Sequence, residues 1–391
     1  MGIPRLRSFT GPHVLSYGFR PFFLLGSLYA GLSVLFWLPM YSGLIESSSA
    51  FASVDWHIHE MLFGYLPAIV TGFLLTAIPN WTGRLPVQGL PLLALVILWI
   101  AGRVATFYSS DIGWMAAAAV DVSFLAAVTA AAAREIIAGK NWRNLKVLIP
   151  LAVLVSANAA FHLEAHFHGI SNMSRRLGIA AAIMFIIIIG GRIIPSFTRN
   201  WLVRENPGRL PAPFDRFDVV TIALSTAALG SWTVLPENPA SGVLLSVAAG
   251  CQTARLARWA GDRTIKDPLV AILHLAYGFV PLGLMLLALS IFLPIAIPQA
   301  AGIHALGGGA IGSMTMAVMA RATLGHTGRQ LKAGASTVFL FAAILLAGSC
   351  RILGALAPHA EMITVAGILW ATAFLGFAAL YGSALVGPKV R

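Results

Sequence analysis

Between Val54 and Tyr65 the chain reads VDWHIHEMLFGY, two histidines and a glutamate at the mouth of a run that turns almost wholly apolar. Ionisable side chains at membrane depth are costly and mark functional sites. His57 and His59 are two residues apart, so on an α-helix they point about 200° from each other and serve two flanks rather than clamp one ion. Glu60, three after His57, reaches the flank of that histidine. It suits a proton relay or the orientation of a ligand imidazole. His162 and His166 are four apart and share a helix face, the usual way for one helix to offer two ligands to one ion. His168 follows them, and His304 stands alone further on. Imidazole without thiolate and with few carboxylates suits copper, zinc or haem iron and argues against calcium or magnesium. Haem asks for one or two axial histidines and an apolar slot.

The elements that must position these groups are membrane helices. Of the 391 residues, 58% are hydrophobic and 10% charged, whereas a soluble domain carries about 25% charged residues. Twelve runs approach the length of about 20 residues that crosses a bilayer core. They are 19–40, 57–78, 90–108, 112–133, 145–166, 173–193, 217–235, 240–256, 268–292, 297–321, 335–356 and 362–385. The expected fold is therefore an all-α polytopic membrane protein of about twelve transmembrane helices.

Lys and Arg gather in alternate connections. They run from Arg5 and Arg7 through Arg134, Lys140, Arg143 and Lys146 to Arg199, Arg204 and Arg209, and end at Lys389 and Arg391. The intervening connections carry mainly Glu46, Asp55, Asp111, Glu237 and Glu361. The positive-inside rule then places both termini in the cytoplasm. The net charge of +12 belongs to these connections and not to a nucleic-acid face. No signal peptide is expected at the N-terminus. Cys251 and Cys350 have no partner spacing, and no Cys-x-x-Cys-His marks covalent haem attachment.

This orientation gathers His57, His59, His162, His166, His168 and His304 at the outer ends of three helices, as a metal or haem set. His13, His274, His326 and His359 read as structural. Arg103 and Arg351 sit one or two turns below the outer ends of their helices, where a guanidinium can bind haem propionates. Asp121 of the next helix is the alternative partner for Arg103. Similar stretches, IPNWTGR (78–84), IPSFTRN (194–200) and LGHTGR (324–329), end spans two, six and ten. They suggest internal repeats over 19–133, 145–256 and 268–385 of one membrane domain spanning 1–391, with three four-helix units in a ring.

The chain resembles the NnrS family, haem- and copper-containing membrane proteins of the bacterial nitric-oxide response. The resemblance rests on WHIHEMLFGYLPAIVTGFLLTAIPNWTGR (56–84), GGRIIPSFTRNWL (190–202) and MARATLGHTGR (319–329), and the order of spans extends it over essentially the whole chain. It implies haem, copper and a role in tolerating nitrosative stress. A distant architectural likeness is to the catalytic subunits of haem-copper oxidases and nitric-oxide reductases, which ligate a haem between spans two and ten. Here span six has no histidine and span seven no His-His pair, so that family's copper site is absent.

The expected function is a multi-pass protein of the bacterial inner membrane that binds nitric oxide, and reduces it as a nitric-oxide reductase-like oxidoreductase, near the periplasmic face. A b-type haem would sit on His57 or His59 and on His304, with Arg103 and Arg351 at its propionates. Copper would sit on the other histidine of the pair with His162, His166 and His168, and Glu60 would act in catalysis. The expected partners are lipid, nitric oxide and an electron donor that the sequence does not name. The alternatives are a protein that sequesters nitric oxide or repairs metal nitrosyls without turnover, and a twelve-helix transporter.

Overall fold

Each apolar run folds as a helix, because only a helix satisfies its own backbone in lipid. The computed structural model describes residues 9–357 and 360–390; Arg5, Arg7, His359 and Arg391 lie outside them. The helices are α1 (Phe19–Tyr41), α2 (Ser53–Thr82), α3 (Leu90–Phe107), α4 (Trp114–Ala138), α5 (Trp142–His168) and α6 (Met173–Glu205). They continue with α7 (Arg216–Val234), α8 (Pro239–Ala257), α9 (Pro268–Phe292), α10 (Gln299–His326), α11 (Ala335–Leu356) and α12 (Glu361–Val386). No strand occurs among the described residues. Eleven of these helices are long and apolar enough to cross a membrane. The exception is α8, whose 19 residues include Ser241, Ser246, Gln252, Thr253 and Arg255. The chain is thus an all-α, multi-pass membrane protein.

Helix ends follow local chemistry. α2 and α5 stop at Gly83 (φ +69°) and Gly169 (φ +74°), left-handed positions that glycine adopts without a Cβ clash. α7 starts with a reciprocal cap: the Asp215 carboxylate accepts from Phe217 N–H, and the Asp218 carboxylate accepts from Asp215 N–H at 3.1 Å. Arg258 donates to both oxygens of Asp215 and holds its carboxyl below the ordinary aspartate range. A lowered folded-state pKa makes this contribution present above the ordinary range and lost as pH falls through the lowered value. Protection of the amides at the start of α7, relative to their intrinsic exchange rates at each pH, is therefore expected to fall only in acid, and Asp215→Ala is expected to remove that acid step.

The described residues fall into two compact units. The first takes in the described residues of 9–178, 321–330 and 374–390. In it α2 packs against α1 and α4, and α4 also packs against α3 and α5. Phe22, Ala68, Leu75, Leu92, Val96, Trp99, Phe124 and Val128 form a buried core. The second takes in the described residues of 179–320, 331–357 and 360–373. There α8 packs between α7 and α9, α10 packs on α9 and α11, and Leu286, Ala301, Ala305 and Ile352 form a core.

Among the described residues, three helices contain a π-helical stretch: Glu60–Tyr65 in α2, Ile186–Gly190 in α6 and Ala305–Ile311 in α10. These are the same three helices whose ends share the IPNWTGR, IPSFTRN and LGHTGR stretches. A π-turn widens the backbone ring and often accompanies function. Two of these stretches have a carbonyl taken up by a neighbouring helix. Trp99 Nε1 donates to Gly64 O at 2.9 Å, and Arg255 Nη1 donates to Ile187 O at 3.0 Å.

Candidate metal centre

The polar groups of the first unit meet where α2 passes into its π-helical stretch. His59 and Glu60 come from α2, Arg103 from α3, Asp121 from α4, and Asn158 and His162 from α5. His59 Nδ1 lies 2.8 Å from Glu60 Oε1, and its Nε2 lies 3.1 Å from Asn158 Oδ1 and 3.2 Å from Asp121 Oδ2. His162 Nε2 lies 3.1 Å from the same Asp121 Oδ2. Arg103 bridges the two carboxylates, donating from Nη1 to Glu60 Oε2 at 2.5 Å and from Nη2 to Asp121 Oδ1. Tyr29 of α1 donates its hydroxyl to Glu60 Oε2. His59 and Glu60 are 0% exposed, Asp121 1% and His162 2%, so bulk water solvates none of these charges.

Sterics keep the cluster closed. Phe51, Phe63 and Phe161 stand with ring centroids 5.0–5.3 Å from that of His59. Gly64, within the π-helical stretch, leaves room for the Glu60–Arg103 pair: a Cβ there would lie 2.7 Å from Glu60 Oε2 and closer still to Arg103 Nη1.

Both nitrogens of His59 face oxygen acceptors, so the ring donates from both and carries a positive charge. The carboxylates of Glu60 and Asp121 are then matched by the Arg103 guanidinium and the His59 imidazolium. Buried charges are tolerated only when matched in this way. The arrangement can equally exchange a proton for a metal ion. One ligand atom each from His59, Asp121 and His162 lies within 4.8 Å of the others. Two imidazoles and one carboxylate oxygen suit copper, zinc or iron. Arg103 occupies Asp121 Oδ1 and leaves Oδ2 to the histidines. Glu60, on the far nitrogen of His59, is placed as the carboxylate that fixes a ligand imidazole in orientation.

Of the residues singled out in sequence, the structure brings together His59, Glu60, Arg103 and His162. His57 stacks on Trp37, with centroids 4.0 Å apart and planes at 20°, on a different flank of α2 from His59. His166 stacks on Trp114, with centroids 4.3 Å apart and planes at 17°, and is exposed, as is His168. His162 and His166 do share a face, the one turned to α4, but they meet residues seven apart on that helix, Asp121 and Trp114, and so lie at different depths. Arg103 takes its carboxylate partner, Asp121, and adds Glu60. In the second unit, Arg351 Nη2 lies 2.6 Å from His304 Nε2. His274 bonds Thr198 at 2.8 Å, and His326 packs on the rings of Tyr17 and Phe19.

Sequence reasoning left Asp121 out of the candidate metal set, and did not place Tyr29 or Asn158 in the cluster. The available signal was that Asp121 is the one acidic residue in the run 112–133. A lone carboxylate in an apolar span needs a cation from another helix. The family model described as NnrS protein matches residues 13–389, and no curated protein matches the chain. With that match covering nearly its whole length, the chain belongs to the NnrS family and is a membrane protein of the nitric-oxide stress response.

Proposed function

We propose that this chain binds nitric oxide at a copper ion held by His59, Asp121 and His162, near the periplasmic face of the bacterial inner membrane. The observation that carries the reading is the fully buried His–Asp–His set, charge-matched by Arg103 and braced by Glu60. The donor set fits copper, which when bound supplies a Lewis acid able to capture a small neutral molecule. The residues do the rest. Arg103 holds both carboxylates in place, Glu60 sets the plane of the His59 ring, and the phenylalanines exclude water. Nitric oxide dissolves in lipid, so a closed site inside the helices needs no polar channel. Tyr29, half-buried and donating to Glu60, supplies the hydrogen-bonded link through which a proton could reach the site if reduction occurs, with electrons from an external donor. The closed shell also favours a sequestering protein. Nitric-oxide consumption beyond one equivalent per metal, with reductant present, separates the two.

Haem does not fit at His59, whose ring is enclosed by Phe51, Phe63, Phe161 and His162. His304 and Arg351 fit it better. His304 is an imidazole only half-buried, beside a guanidinium that could serve a propionate. Copper and haem contents of purified full-length protein test both assignments. His59→Ala is expected to lose copper and keep haem absorbance, and His304→Ala to do the reverse. Full copper occupancy in His59→Ala would sink the copper assignment.

A further inference from the structure

We propose that the divalent form of this centre takes one small anion as its exogenous ligand, and that Asn158 is the residue that holds it. The inference rests on the metal-centre reading above. Its first support is a charge count. The four buried groups are neutral together when His59 carries both protons. A metal at His59 Nε2 displaces one of those protons, and His162 can present Nε2 by moving its own proton to Nδ1 with no change of charge. A monovalent ion in exchange for that proton leaves the cluster neutral. A divalent ion leaves one positive charge, sealed from water and lipid-embedded, where an unmatched charge is strongly disfavoured. A single monoanion restores neutrality.

The second support is independent of charge. Asn158 is 1% exposed, its Oδ1 lies 3.1 Å from His59 Nε2, and its Nδ2 is buried with no hydrogen-bond partner. Buried amide donors are almost always satisfied. A metal on His59 Nε2 removes the proton that Oδ1 accepts, so the carboxamide loses its one partner in the cluster. An anion at the metal would restore one by accepting from Nδ2. Arg103 Nη1 and Nη2 are committed to Glu60 and Asp121 and Tyr29 to Glu60. Arg103 Nε also lacks a partner, but only the Asn158 carboxamide is tied to the His59 nitrogen that would bind the metal. Asn158 Nδ2 is therefore the unpartnered donor beside the metal-binding nitrogen of His59, and a monoanion with a terminal nitrogen or oxygen acceptor, such as azide or nitrite, is the class it suits.

The test loads full-length protein in detergent with copper(II) and adds sodium azide. Bound azide is read by its charge-transfer absorbance and by the shift of its infrared stretch. The wild type is expected to take up one azide per copper. Asn158→Leu is expected to keep its copper and weaken azide binding about tenfold or more, the loss of a hydrogen bond to a charged group. Asn158→Asp is nearly the same shape and supplies the negative charge internally. It is expected to keep copper and take no azide, and it decides the matter if the leucine variant fails to fold. Azide affinity unchanged in both variants would overturn the proposal. Wild-type protein that holds one copper but takes no azide would overturn it and leave the metal-centre reading standing. Protein that takes up no copper would overturn both.

Discussion

Asp121→Ala is expected to empty the metal centre and to cost about 3–5 kcal/mol of stability, the range for removing one member of a buried ion pair. The size follows from what Asp121 touches. It accepts from Arg103 Nη2 with one oxygen and meets His59 and His162 with the other. Without it a guanidinium and an imidazolium face a single carboxylate, Glu60, with no water to share the load. Thermal unfolding in detergent, followed with metal analysis on the same sample, separates the two effects. Adding Arg103→Met removes the surplus cation, so the double variant is expected to regain most of the stability and none of the metal. Stoichiometric copper in Asp121→Ala would strike Asp121 from the ligand set. A double variant no more stable than the single would show that the ion pair is not what Asp121 contributes.

Gly64→Val is the second large effect, and it acts from a residue with no chemistry of its own. A Cβ at 64 meets Glu60 Oε2 at 2.7 Å and crowds Arg103 Nη1, so the Glu60–Arg103 pair must separate or α2 must shift. Overpacking of this kind costs about 1–3 kcal/mol. Displacing Glu60 from the far nitrogen of His59 lowers metal affinity by about 10–100-fold. The control is Gly230→Ala in α7, where an added Cβ finds nothing within 4 Å and the change should stay within about 0.5 kcal/mol. Equal metal affinity in Gly64→Val and the wild type would mean that Glu60 does not brace the ligand histidine.

Hydropathy alone places every helix, because a segment in lipid has few alternatives to a helix. Of these helices α8 alone falls short of the apolarity of a membrane crossing, and its small and polar side chains pack against α7 and α9. For the site, spacing along one helix was legible and depth was not. The two-residue step from His57 to His59 does send the rings to different flanks. The four-residue step from His162 to His166 does keep one face, yet the partner helix offers Asp121 to one and Trp114 to the other. Of the residues that enter the site from helices without histidine, Arg103 and Asp121 are marked only as lone charges in apolar runs, and Tyr29 carries no local mark of membership. What gathers them is cross-helix charge matching, a property of the packed unit that no single segment displays.

The π-helical stretch in α2 acts as a phase shift. Packing one residue more into the rise of an ordinary turn rotates everything after it by about 100° relative to everything before. α2 is therefore two helices on one axis. The leading half aims His59 and Glu60 at α3, α4 and α5, and the trailing half aims Ala68 and Leu75 into the core shared with α1, α3 and α4. A helix of uniform pitch would tie these two aims to one stripe of residues. Broken at Glu60–Tyr65, the span can change its anchoring face residue by residue while the direction of its ligand stays fixed.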